Sequence, residues 1–239
     1  MRRIWGGLVS AGLAVMVAGA GAVAQDGSAG TSPLLYPAPG PLPAGTYESR
    51  SLGPRIVFTV PADTWNASED APGAGFTLVR PLPGMRAGIS TAPFDGEVYP
   101  DPCQPGTDHI AASAAALLEW VAASEGVRSA GAPEPVVVGG QPGLLLDLET
   151  VPPAGCGGMP VSWTIPVYGS FYMVPDEHAR LIALDVDGKV LVIAIEAREG
   201  DWESFLSEAM EVVDSMDLRS DGPLGSPSPV PTGGPSPAT

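Results

Sequence analysis

Positively charged residues are scarce in this chain. Lys and Arg together number 11, against 27 Asp and Glu among 239 residues. Arg2 and Arg3 lie in a segment that we predict below to be removed, which leaves nine basic residues against 27 acidic ones and a net charge of −18. Nucleic acids and anionic lipids are bound through basic surfaces. The composition therefore argues against nucleic-acid binding and against electrostatic docking on a membrane.

Histidine and cysteine are also rare, with two of each. Nucleophilic hydrolysis needs a Ser or Cys activated by a base, usually His. The chain has no Gly-x-Ser-x-Gly elbow and no Gly-x-x-x-x-Gly-Lys phosphate loop. We interpret His109, at the start of a predicted helix, and His178, in a predicted turn, as solvated residues. The sequence thus predicts no catalytic residue, no metal site and no cofactor.

Long apolar runs are absent after residue 24. Ile4–Val23 is uncharged and follows Arg2-Arg3, and Ala22-Val23-Ala24 fits the small-x-small cleavage rule. We predict a signal peptide over residues 1–24 and a secreted or extracytoplasmic protein that begins at Gln25, without a transmembrane segment. The alternative is an uncleaved anchor helix, but five glycines make this run weakly hydrophobic.

Both cysteines remain after cleavage and lie in loops rich in Pro and Gly. In an exported protein, the simplest interpretation of Cys103 and Cys156 is one disulfide. In the chain-entropy model, such a bridge would stabilise the folded state relative to the unfolded chain by on the order of 4 kcal/mol. A zinc site completed by His109 and His178 is the alternative, although Cys103-x5-His109 is not a compact metal motif.

Composition divides the rest of the chain into three parts. Residues 25–45 hold five Pro and four Gly and are predicted to be an extended linker. Residues 220–239 hold six Pro and four Gly and are predicted to be a disordered tail. A single domain is expected over residues 46–219.

The periodicity within that domain predicts two helices among many strands. The first helix is expected to start near Thr107 or Asp108, and the second to run from Asp201 to Met216. Asp187-Gly188, between two β-branched runs, predicts a type I′ hairpin at the centre of a sheet covered on both faces. A second hairpin is expected around Gly139-Gly140. The fold class is therefore α+β, a mostly antiparallel central sheet of about eight to nine strands covered by two amphipathic helices.

Three short segments resemble PsbP-like domains. They are Arg55–Pro61 with Trp65, the hairpin from Val136 to Leu144, and the closing helix from Phe205 to Met216. The resemblance covers most of residues 46–219, and it implies an exported α+β domain, as in LpqN-type lipoproteins, with a role in binding or assembly. This chain departs from the lipoproteins because no Cys stands at the cleavage site.

One segment is unusually aromatic. Trp163, Tyr168, Phe171 and Tyr172 fall within ten residues, punctuated by Pro166 and Gly169. Such residues either cap the core or form a patch for a ligand or partner. We predict a non-catalytic binding or assembly module whose partner is a small apolar ligand or an envelope protein. The alternatives are a secreted hydrolase-like enzyme that uses acidic residues on a concave face, and a purely structural envelope protein.

Overall fold

The computed structural model describes the central part of the chain. The described residues all lie in the compact unit that begins at Pro33. They are residues 33–35, 39–49, 51–52, 54–71, 73, 75–82, 85–98, 108–124, 126–151, 163–165, 171–173 and 176–219.

These residues form strands for the most part, with two helices. The helices are α1 (Ala114–Ala122) and α2 (Trp202–Asp214). The strands, in chain order, are β1 (Leu34–Leu35), β2 (Gly40–Leu42), β3 (Gly45–Ser49), β4 (Arg55–Val60), β5 (Trp65–Ala71), β6 (Gly75–Leu82), β7 (Met85–Phe94), β8 (Glu97–Val98), β9 (Asp108–His109), β10 (Val127–Ser129), β11 (Glu134–Val138), β12 (Gln141–Thr150), β13 (Trp163–Ile165), β14 (Phe171–Met173), β15 (Glu177–Val186), β16 (Lys189–Arg198) and β17 (Asp217–Arg219).

A nine-stranded antiparallel sheet forms the centre of the domain. Its order is β10-β12-β15-β16-β7-β6-β5-β2, and β11 pairs with β12 beside β10. The β15–β16 hairpin turns at Asp187 and Gly188, whose φ angles of 51° and 76° are both positive, as a type I′ turn requires. The predicted fold class and the predicted central hairpin are both confirmed.

Each face of this large sheet packs against a different helix. Successive residues of a strand point to opposite faces, so alternate side chains of β16 enter different cores. Val190, Val192 and Ala194 pack with α1 on what we call the α1 face. Leu191, Ile193 and Ile195 pack with α2 on the opposite side, the α2 face. The sheet is thus covered on both sides, as predicted.

A second, four-stranded sheet was not predicted. Its order is β1-β3-β4-β17, and residues of β3 and β4 join the core on the α2 face. Phe58 of β4 stacks on Phe76 of the large sheet, with ring centroids 4.8 Å apart. Trp65 is buried, and its ring centroid lies 5.6 Å from that of Phe205 of α2. The core on this face is therefore shared by two sheets and one helix.

The first helix begins later than the sequence predicts. Asp108 and His109 form β9, which pairs with β8, so the predicted start at residue 107 or 108 is wrong. Ser113 is the N-cap, and its Oγ accepts a hydrogen bond of 3.2 Å from Ala116 N. Asp185 Oδ1, at the end of β15, accepts another from Ala114 N at 3.0 Å. Two oxygens therefore satisfy donors of the first turn.

Strands also occupy part of the predicted linker. Both β1 and β2 and the start of β3 lie within residues 25–45. Leu42 is buried in the core on the α2 face, because β2 pairs with β5 at an edge of the large sheet. Extended Pro-rich sequence and edge strand share the same backbone region, so composition did not distinguish them. Neither described helix is long and apolar enough to cross a membrane.

Candidate functional site

The predicted aromatic patch falls on a small two-stranded hairpin. In it, β13 pairs with β14, with Trp163 opposite Met173, Thr164 opposite Tyr172 and Ile165 opposite Phe171. The hairpin lies beside β8, which follows β7 along the chain. The backbone thus brings Trp163, Phe171 and Tyr172 into one element.

The other predicted residues of this region lie outside the described residues. They are Tyr168, between the two strands of the hairpin, and the two cysteines, Cys103 and Cys156. The patch and the disulfide therefore remain predictions.

The two histidines lie on different elements. His178 is in β15, and its partly buried ring stacks on Trp202 of α2 with centroids 5.6 Å apart. Its interpretation as a solvated turn residue is wrong, because β15 begins one residue earlier than His178. His109 is exposed on β9. The described residues contain no group of three or more His, Cys, Asp or Glu positioned to hold a metal ion.

The most unusual polar residue of the large sheet is Glu196, near the end of β16. It follows a run of apolar residues, and alternation places it on the α1 face with Ala194. The register pairs it with Gly88 of β7 on one side and with Ala179 of β15 on the other. Gly88 pairs in turn with Val79 of β6. Glu196 therefore stands in a row of small and apolar residues.

Gly88 lies beside the Glu196 side chain. A Cβ atom added at Gly88 would lie 3.8 Å from Glu196 Oε1, so the carboxyl reaches across toward β7. The same Cβ would lie 3.2 Å from the carbonyl oxygen of Leu78, which is a tight approach. Because Gly88 has no side chain, no side-chain atoms of this residue lie beside the carboxyl.

Two hydroxyl groups occupy the next row of the same face. Ser90 of β7 pairs with Thr77 of β6 and with Ala194 of β16. The side-chain oxygens of Thr77 and Ser90 form a hydrogen bond of 3.3 Å. We call the surface formed by Thr77, Val79, Gly88, Ser90 and Glu196 the Glu196 recess.

The Glu196 carboxyl is strongly perturbed. Burial, and to a smaller extent the nearby charge of Glu177, raises its pKa to about 8. The residue is nevertheless partly exposed. Among the described residues, no hydrogen bond or ion pair involves this carboxyl, and a pKa near 8 keeps most of it protonated at neutral pH.

Two other carboxylates of the large sheet are paired with arginines. Asp147 accepts two hydrogen bonds of 2.7 Å from Arg180, which lies opposite it on β15. Glu149 accepts hydrogen bonds from Arg128, and these lower the pKa of the Glu149 carboxyl. Glu196 differs from both because its cross-strand neighbours are Gly88 and Ala179.

Glu196 was not predicted as a site residue from the sequence. The signal available was a single acid after the uncharged run Val190–Ile195. That signal is ambiguous, because an acid at the end of a strand is usually solvated. What distinguishes Glu196 is its set of neighbours on β6, β7 and β15, which the pairing of the strands determines.

No protein-family model matches the chain, and no curated protein matches it. Among solved structures, a Bacteroides thetaiotaomicron protein is similar, with 13% sequence identity and a TM-score of 0.36. The match covers 70% of this chain and 46% of that protein, so the chain spans less than half of that protein's length. LpqN of Mycobacterium tuberculosis, involved in cell envelope biogenesis, is similar at 13% identity and a TM-score of 0.40, covering 79% of this chain and 90% of its own. Cyanobacterial PsbP (CyanoP) from Synechocystis is similar at 12% identity and a TM-score of 0.41, covering 74% of this chain and 94% of its own. The resemblance to PsbP-like and LpqN-type domains is thus confirmed as a distant likeness of fold.

Proposed function

We propose that this protein is an exported, non-catalytic binding or assembly module of the cell envelope or extracellular space. The observation that carries the proposal is the Glu196 recess, where a partly exposed carboxyl lies without a hydrogen-bond partner among the described residues. A partly exposed carboxyl without a protein partner can form a hydrogen bond with a ligand.

The arrangement around the recess favours binding over nucleophilic catalysis. Ser90 is its candidate nucleophile, but the partner of the Ser90 hydroxyl is Thr77 Oγ1 rather than a base. His178 is on the α2 face, where it stacks on Trp202, so the sheet separates it from Ser90. A serine without a positioned base is a weak nucleophile and serves as a hydrogen-bonding group.

Export is part of the proposal and has its own test. Cleavage after Ala24 should give an exported protein that begins at Gln25, because residues 22 and 24 are both small. Mass spectrometry of the exported fraction gives the N-terminus directly. Retention of Met1 there would support the anchor-helix alternative instead.

The disulfide between Cys103 and Cys156 is also proposed. Alkylation of the unreduced, unfolded protein should label neither cysteine, whereas alkylation after reduction should label both. Two labelled thiols before reduction would rule out the bridge. Bound zinc in the same preparation would favour the metal alternative.

The hairpin β13–β14 is proposed as a second contact surface for the ligand or partner. We expect Trp163 to belong to the core and Phe171 and Tyr172 to belong to the surface. Phe171→Ala and Tyr172→Ala should then change the free energy of unfolding by less than about 0.5 kcal/mol. Trp163→Ala should lower the free energy of unfolding by about 3–5 kcal/mol. If all three substitutions unfold the domain, the aromatic segment is structural.

The direct test of the binding function is recovery of the occupant. The mature protein should be purified from its native exported fraction, and native mass spectrometry should show a bound small molecule or a partner protein. Phe171→Ala or Glu196→Leu should release the occupant, while Glu211→Gln, on the exposed side of α2, should retain it. An exported protein that carries no occupant in any preparation would contradict the proposal.

One observation favours the enzyme alternative. A carboxyl with a pKa near 8 beside the second carboxylate of Glu177 is a pairing that suits a general acid and a base. In that case the purified protein would hydrolyse a substrate, and Glu196→Gln and Glu177→Gln would each reduce kcat by at least about 100-fold.

A further inference from the structure

Strand β11 lies at an edge of the large sheet and is paired on one side only. Its partner is β12, and among the described residues no other strand pairs with Glu134–Val138. The next residue, Gly139, bridges to Asp217 of β17, so the free edge ends at the turn. Two strands, β12 and β15, separate β11 from β16, which carries Glu196. The free edge is therefore a surface distinct from the Glu196 recess.

Prolines determine which backbone groups of this edge are free. In an antiparallel pair, residues that bond to the opposite strand alternate with residues whose N–H and C=O point away from it. Proline has no N–H and therefore suits the second kind of position. Pro142 lies opposite Val137, and Pro135 lies two residues before Val137 on the same strand. Val137 thus directs its N–H and its C=O outward, while Pro135 directs only a C=O outward.

The side chains on one face of this edge are apolar and exposed. Val137 is 68% exposed, and Pro135 and Pro142 are exposed as well. They lie on the α1 face, because Leu144, opposite Pro135, packs with the core of that face. Helix α1 itself lies over β10, β12 and β15. The β11–β12 hairpin therefore carries an exposed apolar patch beside unpaired backbone groups.

The unpaired charge at this edge is negative. Glu134, at the start of β11, is exposed and belongs to no ion pair among the described residues. Two arginines of neighbouring strands are already paired, Arg180 with Asp147 and Arg128 with Glu149. A partner strand that carries positive charge is therefore favoured over a neutral or acidic one.

Charge also argues against an occupant from this protein itself. A second copy carries the same excess of acidic residues, and Glu134 and Pro135 are of the kinds that protect sheet edges from self-association. The segments before and after the described residues do not complement the edge either, since residues 25–32 and 220–239 contain no Lys or Arg. The occupant that fits is a basic segment of another protein.

We propose that β11 binds an extended, basic segment of a partner protein, which adds to the large sheet as an antiparallel strand. The partner residue opposite Val137 is apolar and exchanges two backbone hydrogen bonds with it. Two residues later, the partner donates an N–H to the carbonyl oxygen of Pro135. Three residues later, opposite Glu134, it carries Lys or Arg. This surface is additional to the function proposed for the Glu196 recess and does not involve the Glu196 carboxyl.

The experiment is an NMR titration of the mature protein, labelled with ¹⁵N. The probe is a peptide of sequence Lys-Val-Thr-Val-Thr-Val-Lys, acetylated and amidated at its ends. We expect saturable shifts in the amide signals of Val136, Val137 and Val138. The matched peptide with Glu in place of both Lys should bind at least about tenfold more weakly, and added salt should weaken the basic peptide.

Two N-methylated forms of the basic peptide test whether it binds as a strand. The N–H groups of its fourth and sixth residues face β11 in the proposed register, so methylation of both should abolish binding. The N–H groups of its third and fifth residues point away from β11, so methylation of those two should preserve binding. The two forms have the same composition and differ only in the edge that is blocked.

Three variants of the protein locate the contact. Glu134→Lys should weaken the basic peptide at least about tenfold and strengthen the acidic one. Val137→Pro removes an N–H that β12 does not use, and it should also abolish binding. If amide spectra show that this proline disrupts the hairpin, the exposed Glu134→Lys variant still decides. Glu211→Gln, an exposed acid of α2, should bind the basic peptide as the wild type does.

Several results would overturn the inference. Equal affinities for the basic and acidic peptides, or equal effects of the two N-methylated forms, would exclude a basic added strand. Dimerisation in sedimentation experiments that Glu134→Lys or Val137→Pro prevents would identify a second copy as the occupant. If Glu196→Leu releases an occupant of the exported protein while no peptide binds β11, the proposed function stands and this inference is wrong. If the basic peptide binds as expected and no occupant is recovered, this inference stands without that function.

Discussion

Replacing Glu196 by Gln should make the domain more stable at neutral pH. The substitution keeps the size of the side chain and removes its ability to ionise. In the unfolded chain this carboxyl titrates near its ordinary pKa of 4.5, whereas in the folded domain its pKa is about 8. Between these values the folded state holds a proton that the unfolded state has lost. Stability therefore falls as the pH rises through this window, and it levels off above pH 8.

The size of the effect follows from the two pKa values. Each pH unit inside the window lowers the free energy of unfolding by about 1.4 kcal/mol. At pH 7 the wild type should therefore be less stable than Glu196→Gln by at most about 3 kcal/mol. This is an upper limit, because solvent reaches part of the carboxyl. At pH 4 the difference should become small, since the carboxyl is then mostly protonated in the unfolded state as well as in the folded one.

The assay is urea unfolding of the wild type and the variant at pH 4, 5, 6, 7 and 8. The other acidic residues also titrate, so the informative quantity is the difference between the two proteins at each pH. That difference should grow steadily from pH 5 to pH 8. Glu211→Gln on the exposed surface of α2 provides the control and should show no such growth. A difference that stays constant with pH would refute the assignment of a raised pKa to Glu196.

Three further changes test other parts of the structure by thermal or urea unfolding. Gly139→Ala should lower the free energy of unfolding by at least about 1 kcal/mol more than Gly140→Ala does. Both residues have positive φ, but only at Gly139 would a Cβ atom lie 2.8 Å from the backbone nitrogen of Leu218. Equal losses would mean that β17 does not pack on this turn. Ser113→Ala should lower the free energy of unfolding by about 1 kcal/mol, because the N-cap hydrogen bond of α1 is lost. An unchanged free energy of unfolding would show that the hydrogen bond to Asp185 is sufficient to cap the helix. Deletion of residues 220–239 should leave Tm within about two degrees, because the segment has too few apolar residues to offset ordering its backbone; a large drop would show that it packs on the domain.

The elements that could be predicted from the sequence are those determined by local pattern. The β15–β16 hairpin is an example, because Asp187-Gly188 specifies the turn and the flanking residues are apolar on both faces. The buried stripe of α2 is another, with Phe205, Ala209 and Val212 buried at helical spacing. In both cases the deciding interactions lie within about twenty residues.

The elements that could not be predicted depend on pairing across long stretches of chain. The four-stranded sheet joins β4 to β17, which begins more than 150 residues after β4 begins. The candidate site has the same character, since Gly88 and Glu196 become neighbours only when β7 pairs with β16. In the sequence, Glu196 is one of 27 acidic residues. Its unusual neighbours become apparent only from the register in which β16 pairs with β7 and β15.

The position of β17 has a consequence for how this chain can fold during synthesis. Asp217–Arg219 completes the four-stranded sheet against β4, and Ser215 Oγ accepts a hydrogen bond of 2.8 Å from Thr59 N. Gly139 also forms a parallel bridge to Asp217, which ties this last strand to the β11–β12 hairpin. One of the earliest core strands therefore waits for a segment that is synthesised more than 150 residues later, so the four-stranded sheet cannot close until almost all of the described domain has been synthesised.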